Sequence, residues 1–404
     1  MNLIKQAAAY IFSPFSAAEN EIRALHGLRA LSILGIIVYH AWHVASNTHL
    51  TWMPEIIGRF LPNLTTTVNL FFMLSGYLIT SGLLHEWKKK GSIDFRIFFL
   101  KRTFRIFPSY YILVFFMIFF VGAQIRIIEG LPEPTADQQR MLADMQATYA
   151  NRIWDLLYLS NFVQGRLVEH GWTLSIEEQY YLVFPLLASL LIFRLERKHR
   201  LYFLLALYFI PLCSRLYYLY VSVTPDSAFK VYYYSHTRFD SILVGVLIAV
   251  FIHDWRDLYN RLMDHHAGKL AIASVLLYAL RHLWNINEAN YENALGYNFA
   301  DLSYGGMILV GIHGKTWLAK ALSIRPLIPV AKVSYSMYLW HMLLTGVAFS
   351  KNYRIGEPIT PFLLSLITVS AIVYSFLMAW FMYVVVEAPF MKLRDRVLRR
   401  FREA

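Results

Sequence analysis

Leu28–Trp42 reads LRALSILGIIVYHAW, and the fold turns on how that run is read. It is apolar enough to enter a bilayer, yet it carries two charge-capable side chains, Arg29 and His40. At ~100° per residue their separation returns almost to the same helical face, ~16 Å further along the axis. If the run spans a membrane, one face presents a guanidinium near one surface and an imidazole well inside, where an ionisable group is costly unless it is used. The structural alternative is an arginine that snorkels to the headgroups and a histidine hydrogen-bonded to a neighbouring helix. On this run alone that alternative is preferred.

Composition identifies the solvent. With 57% hydrophobic, 16% aromatic and 16% charged residues over 404 positions, the chain is too apolar for an ordinary soluble domain. It is expected to be an all-α, polytopic integral membrane protein. The single cysteine, Cys213, excludes a disulfide framework and a cysteine-based metal cluster.

Working outward from the first run, residues 1–26 hold a short apolar patch broken by Pro14 and lack the layout of a cleavable signal. They read as an interfacial cytoplasmic helix. A second run, Thr66 to Leu84, is followed by a loop crowded with Lys88, Lys89, Lys90, Arg96, Lys101, Arg102 and Arg105. Further runs of bilayer length begin near Pro108, Leu174, Leu201, Phe239, Leu270, Tyr297, Ile328 and Thr360. These predict about ten transmembrane helices in one domain, 1–404, ending in a basic cytoplasmic tail, 391–404.

The set of alternate loops that includes both termini carries more than three times the Lys and Arg of the opposite set. Basic loops mark the cytoplasmic side, so both termini are expected inside. The net charge of +12 is then mostly topology, and nucleic acid is set aside as a partner. The one long outer connection, Glu129 to Gly171, lies along the membrane surface or partly re-enters.

That topology assigns depths. Arg29 falls near the inner end of span 1 and His40 in its outer half. Trp172, Ser175, Glu177 and Glu178 fall at the outer end of span 4, with Arg238 and Asp240 level with them on span 6. Span 9 carries Tyr338 and, at mid-depth or beyond, His341. Each unpaired charge near mid-membrane costs ~2.5–3.5 kcal/mol on insertion scales, so these groups pair or line a hydrated cavity. Alternatives stand beside each role. Ser175 and Glu178 have the spacing of a capping box, Arg238 and Asp240 can neutralise one another, Trp172 and Tyr338 can be packing residues, and Arg102 and Arg105 can be ordinary positive-inside residues.

Two patterns are dismissed. Gly314-Lys315-Thr316 resembles the end of a phosphate-binding loop, but Leu309 stands where that loop needs glycine. His40, His43 and His49, or His265 and His266, lack an acidic third ligand at metal-binding spacing, so no metal is expected.

Arg29 and His40 with ten residues between them, NLFFMLSGYLI from Asn69, Arg102-x-x-Arg105, WTLSIEEQYYL from Trp172 and SYSMYLWH from Ser334 together resemble the membrane acyltransferase-3 family. The resemblance runs from about Gly27 to Leu393. Thr67 and Asn69 depart from it, standing where members often carry a glycine and an acidic residue, and no hydrolase-like extracytoplasmic domain is expected after span 10.

The resemblance implies acyl transfer, most often of acetyl, from cytoplasmic acetyl-CoA to a hydroxyl of a cell-envelope glycan or glycolipid, in a bacterial inner membrane. That chemistry needs a base for the attacking hydroxyl, for which His40 is the candidate, with Glu177, if close, orienting it as a triad carboxylate does; direct transfer is preferred to prior acylation of His40 or a serine. Arg102 and Arg105 would meet the CoA phosphates, with Arg29 at the entrance. Trp172, Ser175, Glu178, Arg238, Asp240, Tyr338 and His341 would line the acceptor's approach. The competing class is a proton-coupled transporter of a glycolipid or small anion, but no repeat with matched broken helices supports it.

Overall fold

The structure is a computed structural model that describes residues 3–16, 21–48, 50, 52–283 and 292–403. The described residues are helical and include no strand; His49 lies outside them. In chain order the main helices are α1 Arg23–Ser46, α2 Thr67–Lys90, α3 Phe95–Glu129, α4 Ala136–Ala150, α5 Gly171–Leu190 and α6 Arg197–Tyr220. They continue with α7 Asp240–Asp254, α8 Arg256–Leu283, α9 Tyr297–His313, α10 Ser334–Asn352, α11 Pro361–Met382 and α12 Ala388–Glu403.

A long helix stands at each of the ten places where an apolar run begins. Six of them, rather than ten, are long and apolar enough to cross a membrane by length and composition. The shortfall has a physical reason. Helices α7 and α9 have only 15 and 17 residues but are largely wrapped by other helices. The first half of α8 is polar, and α10 carries Ser334, Ser336 and His341 on buried positions.

Local chemistry explains the boundaries. Asp94 caps α3 by accepting the amide of Ile97 at 3.0 Å, Thr135 and Gln138 close a capping box on α4, and Gly91, at φ 70°, supplies the left-handed residue that ends α2. Phe115 and Phe119 are 59% and 72% exposed on α3, a face suited to lipid. Helices α2 and α7 pack backbone to backbone. A Cβ on Gly245 would fall 2.0 Å from the carbonyl oxygen of Met73, and one on Gly76 2.1 Å from that of Ile242. Small residues at such a crossing are what let two helices touch within a membrane.

The long connection between α3 and α5 folds back against α3. Tyr110 and Tyr111, near the midpoint of α3, donate hydrogen bonds to the carbonyls of Asp155 and Leu156 at 2.7 and 3.0 Å. The ring of Tyr158 stacks on Tyr110 at 4.2 Å. Residues 155–158 therefore lie beside the middle of α3 before α5 starts. At the N-terminus the short helix Leu3–Ile11 lies against the end of α11, where Tyr10 donates to the carbonyl of Val384 and Trp380 to that of Ile11, both at 2.8 Å.

Candidate active site

Helices α1, α2, α3, α5 and α10 enclose a pocket of about 300 Å³. One end is polar, formed by Arg29, Arg102, Arg105 and Glu177; the other is walled by Val68, Phe71 and Tyr338. Arg102 and Arg105 are one turn apart on α3 and so share a face. Arg29 and Arg102 are half-buried and Arg105 is exposed. Among the described residues none of the three guanidinium groups makes a hydrogen bond or an ion pair. The group of Arg102 lies over the ring of Tyr181, 5.3 Å from its centroid.

Glu177 sits in the same pocket but is already engaged, accepting hydrogen bonds from the hydroxyls of Ser75 and Tyr181. Beside it, Oε1 of Glu178 is buried without a partner. Three cations face two carboxyl groups, one of them held by neutral donors, so the pocket keeps a positive excess, a ready anion site.

Beyond Tyr338 lie three imidazoles. The ring of Tyr338 is 5.3 Å from His341 and 5.2 Å from His170, and its hydroxyl pairs with Thr173 at 2.6 Å. His341 in turn is 5.1 Å from His40 and 4.8 Å from His170 between ring centroids. Helix α1 is continuous from Arg23 to Ser46, so His40 stands ~16 Å along it from Arg29. Tyr338 thus stands in the wall between the arginine pocket and the histidines.

The structure groups the sequence-predicted residues differently from expectation. Arg29, Arg102 and Arg105 come together. Glu177 joins them rather than His40, held there by Ser75 and Tyr181, and among the described residues no His40–Glu177 pair forms. Ser175 is no cap either. Helix α5 begins at Gly171, and the Ser175 hydroxyl meets the carbonyl of Gly171 at 3.2 Å and the hydroxyl of Ser160 at 3.1 Å. Trp172 is 6% exposed and packs against Phe72, Tyr232 and Tyr233.

Arg238 and Asp240 do not neutralise one another, since two helical residues point ~200° apart. Arg238 donates to Asn69 at 2.9 Å, and Asp240 pairs with Arg215 at 2.8 Å. Sequence reasoning missed Arg215, Asp301 and His170. The first two are isolated charges in apolar runs, a usable signal. His170 sits just before the Trp172 motif in a stretch that reads as loop.

A family model described as an acyltransferase domain matches residues 22–384. The chain is similar to the O-acetyltransferase OatA of Staphylococcus aureus, strain NCTC 8325 / PS 47, at 29% identity over 377 residues, covering 91% of this chain and 57% of the relative. A second S. aureus protein, from strain COL and provisionally named an O-acetyltransferase, is 28% identical over 383 residues, covering 92% of this chain and 57% of its own length. The chain thus spans little more than half the length of the curated relatives it matches. No solved structure matches it significantly.

Proposed function

Because the chain belongs to the acyltransferase-3 family, whose domain covers residues 22–384, we propose that it is a membrane O-acetyltransferase. It moves an acetyl group from cytoplasmic acetyl-CoA to a hydroxyl of an envelope glycan or glycolipid, with His40 as general base. The observation that carries this reading is the convergence of three unpaired guanidinium groups on one pocket. Three like charges that outnumber the carboxyl groups beside them and make no ion pair cost free energy that an anionic ligand recovers, and planar guanidinium forks match phosphate oxygens.

Arg29, Arg102 and Arg105 hold the phosphates of the donor. The wall of Val68, Phe71 and Tyr338 leads its apolar arm toward the imidazoles, and the glycan approaches from the opposite side. His40 takes the proton of the attacking hydroxyl and later delivers it to the departing sulfur. Glu177, bound by Ser75 and Tyr181, sets the charge and shape of the donor end. The reading places the arginine-lined end and both termini in the cytoplasm of a bacterium, with the ten long helices forming one membrane bundle. Family membership favours this enzyme over a carrier.

The test is purified protein in proteoliposomes given acetyl-CoA and isolated envelope polysaccharide. Thiol should be released only when both are present, and mild alkali should liberate acetate from the polysaccharide. No thiol release above a protein-free control, with donor and glycan both supplied, counts against the activity.

A further inference from the structure

The hydrogen bonds of the imidazole cluster fix where two of its protons sit. Nδ1 of His341 lies 2.6 Å from the carbonyl oxygen of Tyr338, and Nε2 of His170 lies 2.9 Å from that of Leu339. A carbonyl oxygen only accepts, so each of these nitrogens carries its hydrogen. In the neutral rings the opposite nitrogens, Nε2 of His341 and Nδ1 of His170, are then bare lone pairs, and both are buried without a partner.

An empty buried acceptor costs on the order of 1–3 kcal/mol, and this cluster keeps two. His40, in contact with His341, is the ring that no hydrogen bond holds among the described residues.

We propose that His341 is the residue that positions the base. Its Nε2 lone pair accepts the ring N–H of His40, which leaves the other His40 nitrogen bare toward the reacting hydroxyl, while His170 packs behind His341 and holds it. This rests on His40 being the base. A modest turn of the His40 ring makes the bond, since the terminal torsion of histidine is broad, and such contacts tighten when substrate is bound.

A neutral acceptor selects the tautomer, as the carboxylate of a triad does, without the cost of an anion deep in the bundle. During transfer His40 takes the hydroxyl proton as the hydroxyl oxygen bonds to the acetyl carbon. The carbon–sulfur bond breaks with its electron pair on sulfur, and His40 returns the proton to that sulfur. The nitrogen facing His341 keeps its hydrogen throughout, so no charge is left behind.

The experiment measures kcat and KM for acetyl-CoA, with envelope polysaccharide as acceptor, in proteoliposomes of folded variants. His341→Leu should lower kcat about 10- to 100-fold with KM for acetyl-CoA little changed. His341→Gln, whose Oε1 reaches the place of Nε2, should keep several-fold more activity than Leu. In a His40→Ala background, His341→Leu should have no further effect, because it acts through the missing ring.

Equal losses for Gln and Leu, or a second loss of the same size in the double variant, would overturn the positioning role and leave His40 as the base. Near-normal turnover of His40→Ala alone would sink the base itself, and this inference with it.

Discussion

Two clusters of arginines are treated oppositely, one buried around Arg215 and one lining the pocket at Arg29, Arg102 and Arg105. Between α2, α6, α7 and α9, Arg215 makes four hydrogen bonds: to the carbonyls of Ala294 and Thr237, to Asp240 and to Asn298, at 2.6 to 3.0 Å. Next to it Asn69 accepts from Arg238 and donates to Asp301, each at 2.9 Å, and Ser241 also donates to Asp301. A few helices away Arg29, Arg102 and Arg105 share a pocket with no hydrogen bond or ion pair among the described residues. A satisfied buried charge is architecture, while a set of unsatisfied ones kept together marks a place where a ligand completes the pairing.

The largest effect is expected at His40, on the unsatisfied side. His40→Ala should lower turnover by a factor of about 100 to 10,000 while leaving the donor's KM and the unfolding temperature near those of the wild type. A variant that instead loses stability with turnover intact would move His40 into the architectural class. Kinetics and thermal unfolding on the same preparation decide this.

On the satisfied side, Arg215→Ala should cost roughly 3–5 kcal/mol, because it strands Asp240 as a buried charge without its partner. Thermal unfolding in detergent reads the loss. Arg215→Met combined with Asp240→Leu should recover most of it, since replacing both partners removes the desolvation penalty as well as the attraction. Failure of the double variant to recover would mean that these charges contribute more than local pairing.

Arg102→Ala tests the opposite prediction of the comparison and is the smaller change. Donor binding should weaken about 10- to 100-fold, in line with lost charge-assisted hydrogen bonds, while the unfolding temperature stays level or rises as like-charge repulsion is relieved. Lys at this position should restore only part of the affinity, because it lacks the planar fork. Unchanged donor affinity measured by calorimetry would return Arg102 to the ordinary positive-inside residues.

The comparison also shows what a sequence can disclose. A long helix covers the start of each apolar run, because bilayer-length hydrophobicity is a local property, although α3 begins at Phe95 and α8 at Arg256, well ahead of the runs at Pro108 and Leu270. Arg29 meets Arg102 and Arg105 for a similar reason, since the end of one run and the basic stretch after another share a level, although that stretch is helix, the first turns of α3, rather than the expected loop. Glu177 escapes such reasoning. Its depth depends on residues 151–170 folding back along α3, and that return is set by Tyr110 and Tyr111 hydrogen-bonding to distant carbonyls, not by any periodicity within α5.

The partners of Arg238 and Asp240 are hidden in the same way. Adjacent opposite charges suggest a pair, but the helix turns them apart: Asp240 pairs with Arg215, while Arg238 donates to Asn69 through one amino group and leaves its other buried without a partner. Crossing a membrane counts charges; pairing them needs the third dimension.

The smallest expected effect comes from a pair that is neither buried nor in the pocket. Lys315 donates to Asp264 at 2.8 Å, with their side chains 73% and 51% exposed. The hydrogen bond and charge of Lys315 hold the Asp264 carboxyl below its ordinary value. A depressed carboxyl contributes stability that is fully present above its unfolded value, about 3.9, and is lost as pH falls through the lower folded value. Near neutral pH the contribution is therefore complete, yet water and salt screen it, with a Debye length of about 8 Å at physiological ionic strength.

Asp264→Asn should thus leave the unfolding temperature within measurement error of the wild type at neutral pH, with any small difference vanishing in acid and in high salt. An Asp264→Asn loss comparable with that of Arg215→Ala would break the comparison at its root, because it would show that pairing alone, without burial, decides which charges hold this fold together.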